Sequence, residues 1–366
     1  MTSPISLPGS WSLIRRVWGP TGLLTGLAAL SLLGPGLLGS GVTSARAGES
    51  GGELRESQPP TSDQPESGGH RLPRIEAQRC QGNPLIQPGI GPGVGVNING
   101  PSVIRTPEWL PGRLGRYYLY FASHRGRTIR LAYADDPCGP WTLHPPGTLR
   151  LSQARGFVDH IASPDVHVDD ARREIRMYLH GRKAGGWGVQ RTGLAISSDG
   201  LQFRMVNADL GSAYFRVFPW GSGWMALAKQ AGAGGRLYRA RFADGPFVPG
   251  AAVLPTMRHA AVLPWGDGLL VFHSRIGDAP ERILVAHLGL NPEGGDPVVG
   301  PSAVVLSPDT PEEGNDQPLT PSRSGATRRA RQLRDPAILV DGERTFLFYA
   351  LAGESGIGAA ELRLAP

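Results

Sequence analysis

The chain has 366 residues, 40% of them hydrophobic and 19% charged, with a formal net charge of +6. A basicity this mild argues for no particular polyanionic partner. No stretch interleaves basic and aromatic residues as nucleic-acid surfaces do, so no nucleic-acid partner is expected.

The first 47 residues read as an export signal: Arg15-Arg16, an apolar run from Leu23 to Leu38, then Ala45-Arg46-Ala47 before Gly48. Small residues at 45 and 47 suit signal peptidase, and cleavage is expected after Ala47. A membrane anchor is the competing reading, but Gly26, Gly34, Pro35 and Gly36 interrupt the run, and a spanning helix needs about 20 residues with few breakers. The arginine pair raises the twin-arginine route, for which Val17-Trp18-Gly19 is a poor continuation. Cleavage would lower the formal charge from +6 to +3, leaving a periplasmic or secreted protein with no membrane contact. Residues 48–79 are rich in Gly, Ser, Pro, Glu and Gln and read as a disordered tether, because they have too little apolar surface to offset their ordering entropy. The folded domain is expected over 80–366. Its only cysteines are Cys80 and Cys138, which could pair in an oxidising compartment or remain two thiols.

From about Asn97 one pattern recurs five times: a short apolar strand, a turn, an aromatic-rich strand, another turn, and a strand of the Leu-Ala-Tyr-Ala kind. The first strands of the copies are Pro101–Ile104, Pro164–Val168, Tyr214–Phe218, His259–Leu263 and Asp335–Val340. The second strands are Tyr117–Phe121, Ile175–His180, Trp224–Ala228, Leu269–Ser274 and Thr345–Tyr349. Period-two patterning, β-branched and aromatic residues, and bounding Gly, Asp and Pro are strand and turn chemistry. Each copy is the size of one four-stranded blade, so the pattern predicts an all-β, five-bladed β-propeller. A β-sandwich would not predict this repetition. Between the fourth and fifth copies an insertion is expected over 291–334, its Pro311–Asp316 half reaching over the propeller mouth.

The runs Tyr117–Phe121, Ile129–Trp141, Ser163-Pro164-Asp165-Val166 and Arg334-Asp335-Pro336-Ala337-Ile338 resemble the five-bladed propeller glycoside hydrolases, among them glycoside hydrolase family 43. The likeness looks closer still to an uncharacterised bacterial group near that family. The resemblance implies an oligo- or polysaccharide partner and hydrolysis by two carboxylates, one activating water and one protonating the leaving oxygen. It also implies a base opening the first inner strand in an Asp-Pro context, where this chain has Asn99-Gly100-Pro101-Ser102. Asp335, before Pro336, or Asp165 could serve from a shifted blade. For the acid, Glu281 is the expectation and Glu313 its competitor.

Further polar residues are expected to face the axis or its mouth as substrate-binding groups: Asn99, His124, His160, His180, Arg216, Arg258, His259, His273, Arg275 and Arg334. Converging His, Arg and Asp suit a polyhydroxylated ligand. No pair has the spacing of a structural zinc site, and no cofactor is expected, although the resemblance leaves room for an axial calcium. Gly221-Ser222-Gly223 lacks the full nucleophile elbow, and the glycines at 89–95 lack a following helix to hold phosphate. Three functions fit: a glycosidase, a sugar-binding propeller without the usual base, and a protein-interaction scaffold, for which a flat apolar face is expected.

Overall fold

The computed structural model describes residues 72–365 except 187, 292–294 and 327. The export signal and the tether up to residue 71 lie outside the described residues.

Among the described residues twenty strands form five antiparallel four-stranded sheets arranged as a five-bladed propeller. The first complete blade is β2 (Asn99–Arg105), β3 (Tyr117–Ala122), β4 (Thr128–Ala134) and β5 (Thr142–Arg150). The second is β6 (Phe157–Asp169), β7 (Glu174–Lys183), β8 (Gln190–Ser197) and β9 (Arg204–Ser212). The third is β10 (Arg216–Trp220), β11 (Gly223–Lys229), β12 (Gly235–Ala240) and β13 (Val248–Val253). In the fourth, β14 (Met257–Trp265), β15 (Gly268–Arg275), β16 (Ile283–Gly289) and β17 (Val298–Leu306) follow the same order. The fifth combines β18 (Arg334–Asp341), β19 (Arg344–Leu351) and β20 (Gly356–Ala365) with the N-terminal β1 (Arg74–Arg79).

The second strand of each blade explains the packing. All six residues of β3 are buried, because both faces of a blade are covered by neighbours. Period two then decides which neighbour each side chain meets. Tyr117, Leu119 and Phe121 join Phe346 and Phe348 of the fifth blade. Tyr118 and Tyr120 join Val166, Met177 and Phe203 of the second. Five apolar clusters result among the described residues, one at each blade interface. The expected polar–apolar alternation is therefore absent from the middle strands and appears in outer ones such as β1, where Ile75 and Ala77 pack inward between exposed Arg74, Glu76 and Gln78.

Two boundaries differ from expectation. Residues 74–79, read as tether, form β1, which pairs in register with β20 from Arg74 opposite Ala365 to Arg79 opposite Ala360. Its composition is polar because an edge strand buries one face only. The insertion is also shorter than 291–334, since β17 completes the fourth blade and only 307–333 connects it to β18. Pro311–Glu313 forms one 3-10 turn away from the mouth, held where Arg79 pairs with Glu313 at 2.7 Å. The second half of the connector reaches the axial end instead, where the Ser322 carbonyl accepts from Arg258 at 2.8 Å.

Cys80 and Cys138 form a disulfide across 58 residues, linking the end of β1 to the turn after β4. Closing a loop of that length is worth about 4 kcal/mol in chain entropy. Replacing Cys138 with Ser should lower the unfolding free energy by about 2–4 kcal/mol in denaturant titrations, and reductant should bring the unmodified chain to the same value. Coincident curves for oxidised, reduced and substituted protein would contradict this.

Candidate functional site

Every inner strand starts, and every second strand ends, at the same end of the ring, so the loops that follow the second strands surround one mouth. At that end β2, β6, β14 and β18 each carry an extra residue relative to their partner strand. The extra residue places Gly100, Ser163, Arg258 and Asp335 at one level, and Tyr214, just before β10, takes the same place in the third blade. Gly100, Ser163, Tyr214 and Asp335 have φ of 59°, 44°, 63° and 50°. Left-handed backbone costs a non-glycine residue about 1–2 kcal/mol, so the surrounding packing must hold this ring in place.

Where the resemblance implies an Asp, the first blade has Gly100. A Cβ built there would lie 3.0 Å from Ser163 Cα, so the second blade occupies the space a side chain would need. The carboxylate at this level is Asp335, one blade away in the closed ring.

The mouth opens into a cavity of about 640 Å³ lined by Asn99, His124, His160, His180, His259 and Asp335, all expected from sequence. Tyr214, Glu354 and a rim of Arg125, Arg127, Asp159 and Arg182 also belong to its wall. One side is a column of rings: His180 lies 4.0 Å from Tyr214, and Tyr214 lies 4.9 Å from His259. His259 Nδ1 in turn sits 2.8 Å from Asp335 Oδ1. Burial pushes His160, His180 and His259 below the ordinary histidine value, so the three rings are neutral at neutral pH. Burial also pushes the Tyr214 phenol up, helped by Asp335 and Glu354. Burial alone would raise Asp335 as well, but His259, Arg334 and Arg216 outweigh it and hold the carboxyl well below the usual range.

Glu354 was not anticipated. It lies in the short turn between β19 and β20, where Gly353-Glu354-Ser355 reads as an ordinary polar hairpin. It is 3% exposed and accepts from Asn97 Nδ2 at 3.0 Å, Asn99 Nδ2 at 2.9 Å and Arg334 Nη1 at 3.1 Å. The available signal was positional: this loop follows the second strand of the blade that carries Asp335, so it must face the mouth. Two buried polar atoms in the cavity wall, Asn99 Oδ1 and His180 Nδ1, have no hydrogen-bond partner. Carboxylates, imidazoles and unfilled hydrogen-bonding positions together suit a ligand rich in hydroxyl groups.

Several expected site residues lie elsewhere. Glu281 is fully buried between Arg258 at 2.9 Å and Arg334 at 2.6 Å; with both oxygens engaged by guanidinium groups and no route to the cavity, it orders those arginines. Glu313 is tied to Arg79, and its Oε1 accepts from Tyr349 at 2.9 Å. Asp165 faces a separate cavity of about 330 Å³, held by His167 at 2.8 Å and the Val217 amide at 2.8 Å. It lies two residues beyond Ser163, so it sits at a different level of the ring from Asp335. Arg216 donates to the carbonyls of Ala260 at 2.7 Å and Pro164 at 3.1 Å, tying three inner strands together. His273 is buried beside Ser302 at 3.1 Å in the fourth blade, and Arg275 ends β15 outside the cavity lining.

The axis does not fit the calcium that the resemblance leaves room for. A calcium ion asks for six to eight oxygens, whereas Arg258, Arg334, Arg216 and His259 crowd around the carboxylates. Among the described residues no group of three or more His, Cys, Asp or Glu is placed to hold a metal ion.

Replacing Glu281 with Gln leaves two buried guanidiniums short of a counter-charge and should cost about 3 kcal/mol, read as a lower denaturant midpoint; an unchanged midpoint would refute the pairing. Burial lowers His273 to about 4, against about 6.5 in the unfolded chain. The neutral ring therefore stabilises the fold fully above pH 6.5, and this is lost as pH falls toward 4, by about 3 kcal/mol over that window. Unfolding titrations at pH 7 and pH 4.5 should show a smaller loss in His273→Gln than in the unmodified chain; equal losses would count against it.

No family model matches this chain. Among solved structures, TM-scores of 0.53 and 0.51 relate the propeller to two glycoside hydrolase structures. One is from work on the GH130 mannoside phosphorylase family and its glycoside hydrolases targeting β-1,2 mannosidic linkages in Candida mannan: 11% identity, 80% of this chain and 94% of that one. The other is CoXyl43, a GH43 β-xylosidase/α-arabinofuranosidase from a compost microbial metagenome: 13% identity, 80% of this chain and 95% of that one. At such identities the likeness is one of fold. A sequence relative comes from a virus and not from the bacterial group expected: uncharacterized protein R118 of Acanthamoeba polyphaga mimivirus, 35% identical over 308 residues, 73% of this chain and 84% of that protein. With its length matched to that extent, this chain belongs to the same protein family as the mimivirus protein.

Proposed function

We propose that this chain is an exported, glycoside hydrolase-like propeller that takes a glycan into its axial cavity. The observation that carries the reading is the pairing of two buried carboxylates, Asp335 and Glu354, with the unfilled Asn99 Oδ1 and His180 Nδ1 in one open polar cavity. A sugar presents many hydroxyls and little apolar surface, which is what such a wall can satisfy. Export is supported by the signal pattern of residues 1–47 and by the disulfide, which persists in oxidising compartments.

In a hydrolytic reaction Asp335, held ionised, is the group to take a proton from a water attacking the anomeric carbon. The leaving oxygen then needs a proton from an acid. Glu354 is occupied as an acceptor by two asparagines and Arg334, and burial disfavours the protonated form of His160, His180 and His259. That arrangement favours a second reading, retention of a glycan without cleavage.

Purified protein assayed on an aryl-glycoside panel, alongside calorimetry with oligosaccharides, separates the two. Hydrolysis abolished by Asp335→Asn, a loss of at least about 100-fold expected for a general base, supports the enzyme. Saturable binding without turnover, weakened by Asn99→Leu, supports the binding protein. The absence of both turnover and binding would overturn the carbohydrate reading.

A further inference from the structure

We infer that the glycan is acidic, and that the mouth is built to receive sugar carboxylates; this rests on the carbohydrate reading above and names the substrate class. The loop between β3 and β4 brings Arg125 and Arg127 to the cavity rim, both exposed. No carboxylate pairs with either guanidinium among the described residues. Across the mouth Arg182 pairs with Asp159 at 2.7 Å, so the one acidic side chain of the rim is already matched. The carboxylates deeper in the cavity are likewise answered from within the protein, Glu354 by Arg334 at 3.1 Å and Asp335 by the charges of Arg334 and Arg216 together with its contact to His259. What the mouth lacks is negative charge.

The cationic surface continues past the rim. Arg127 also lines a second cavity, of about 460 Å³, on the flank of the first blade. No Asp or Glu lines it; Arg150 does, exposed and without a carboxylate partner among the described residues. The other arginine of that cavity, Arg130, is committed, donating to the carbonyls of Val94, Asn97 and Ala122. Arg127 thus stands at the junction of two cavities, with Arg125 on one side and Arg150 on the other. A single sugar fills the first cavity only, whereas an oligosaccharide with repeated carboxylates can pair with each guanidinium in turn. The planar fork of arginine suits a carboxylate geometrically as well as by charge.

The test compares sugars of one backbone with and without charge: oligogalacturonate against its methyl ester, glucuronoxylan fragments against xylan fragments, and dextran sulfate against dextran. Calorimetry on the unmodified chain should show at least one carboxylated glycan binding roughly tenfold or more tightly than its neutral counterpart. Its advantage should shrink between 20 mM and 500 mM salt and fall in both Arg127→Gln and Arg150→Gln, which alter exposed side chains and leave the core intact. Binding of a neutral glycan with no gain from carboxylates would overturn this assignment and leave the carbohydrate reading standing. A preference confined to dextran sulfate would overturn the assignment to carboxylates. An absence of binding to every glycan would remove both readings together.

Discussion

Arg334 is among the most completely buried side chains in the molecule, with no exposed surface, and the axial end of the propeller is organised around keeping it satisfied. A guanidinium taken out of water needs charge and hydrogen bonds on several sides. Here Glu281 comes from the fourth blade, and Glu354 from the turn after β19. Glu281 in turn holds Arg258, whose other partner is Ser322 of the connector. A single cation thus fixes the fourth and fifth blades, the connector and the carboxylate that lines the cavity. Asp335 is the neighbouring residue in the chain, so its place at the axis follows from the same constraint.

The architecture was legible in the sequence because each blade must bury two faces, which leaves an apolar second strand and a turn-rich boundary in every copy. Outer strands were harder to see. Residues 74–79 and 298–306 each have one covered face, and in short pieces such a pattern is indistinguishable from a polar loop.

The site was legible in part. Asp335 stood out because an Asp-Pro pair opened an inner strand, and Asn99, His124, His160, His180 and His259 were found because they lie at strand ends that share one mouth. Asp165 lies two residues away from the level of Asp335: the extra residue in four of the inner strands decides which level a side chain reaches, and that insertion has no sequence signature. Glu281 and Glu313 show a related limit, since a carboxylate in a polar segment reads the same whether it faces solvent or two buried arginines. Net charge concealed the mouth for a comparable reason. A mild whole-chain excess gave no hint that Arg125, Arg127 and Arg150 gather on one side.

The pairing of β1 with β20 also orders events in time. The strand that closes the ring is the first of the domain to leave the ribosome, and its partner is the last. No intermediate length of chain can complete the fifth blade, so the interfaces flanking that blade stay open until β20 emerges. Pairing across nearly the whole domain is the kind of long-range contact that slows folding. A propeller closed in this way leaves an exposed strand edge until β20 is made, and the polar outer face of β1, with Arg74, Glu76 and Gln78, keeps that waiting edge from recruiting other chains.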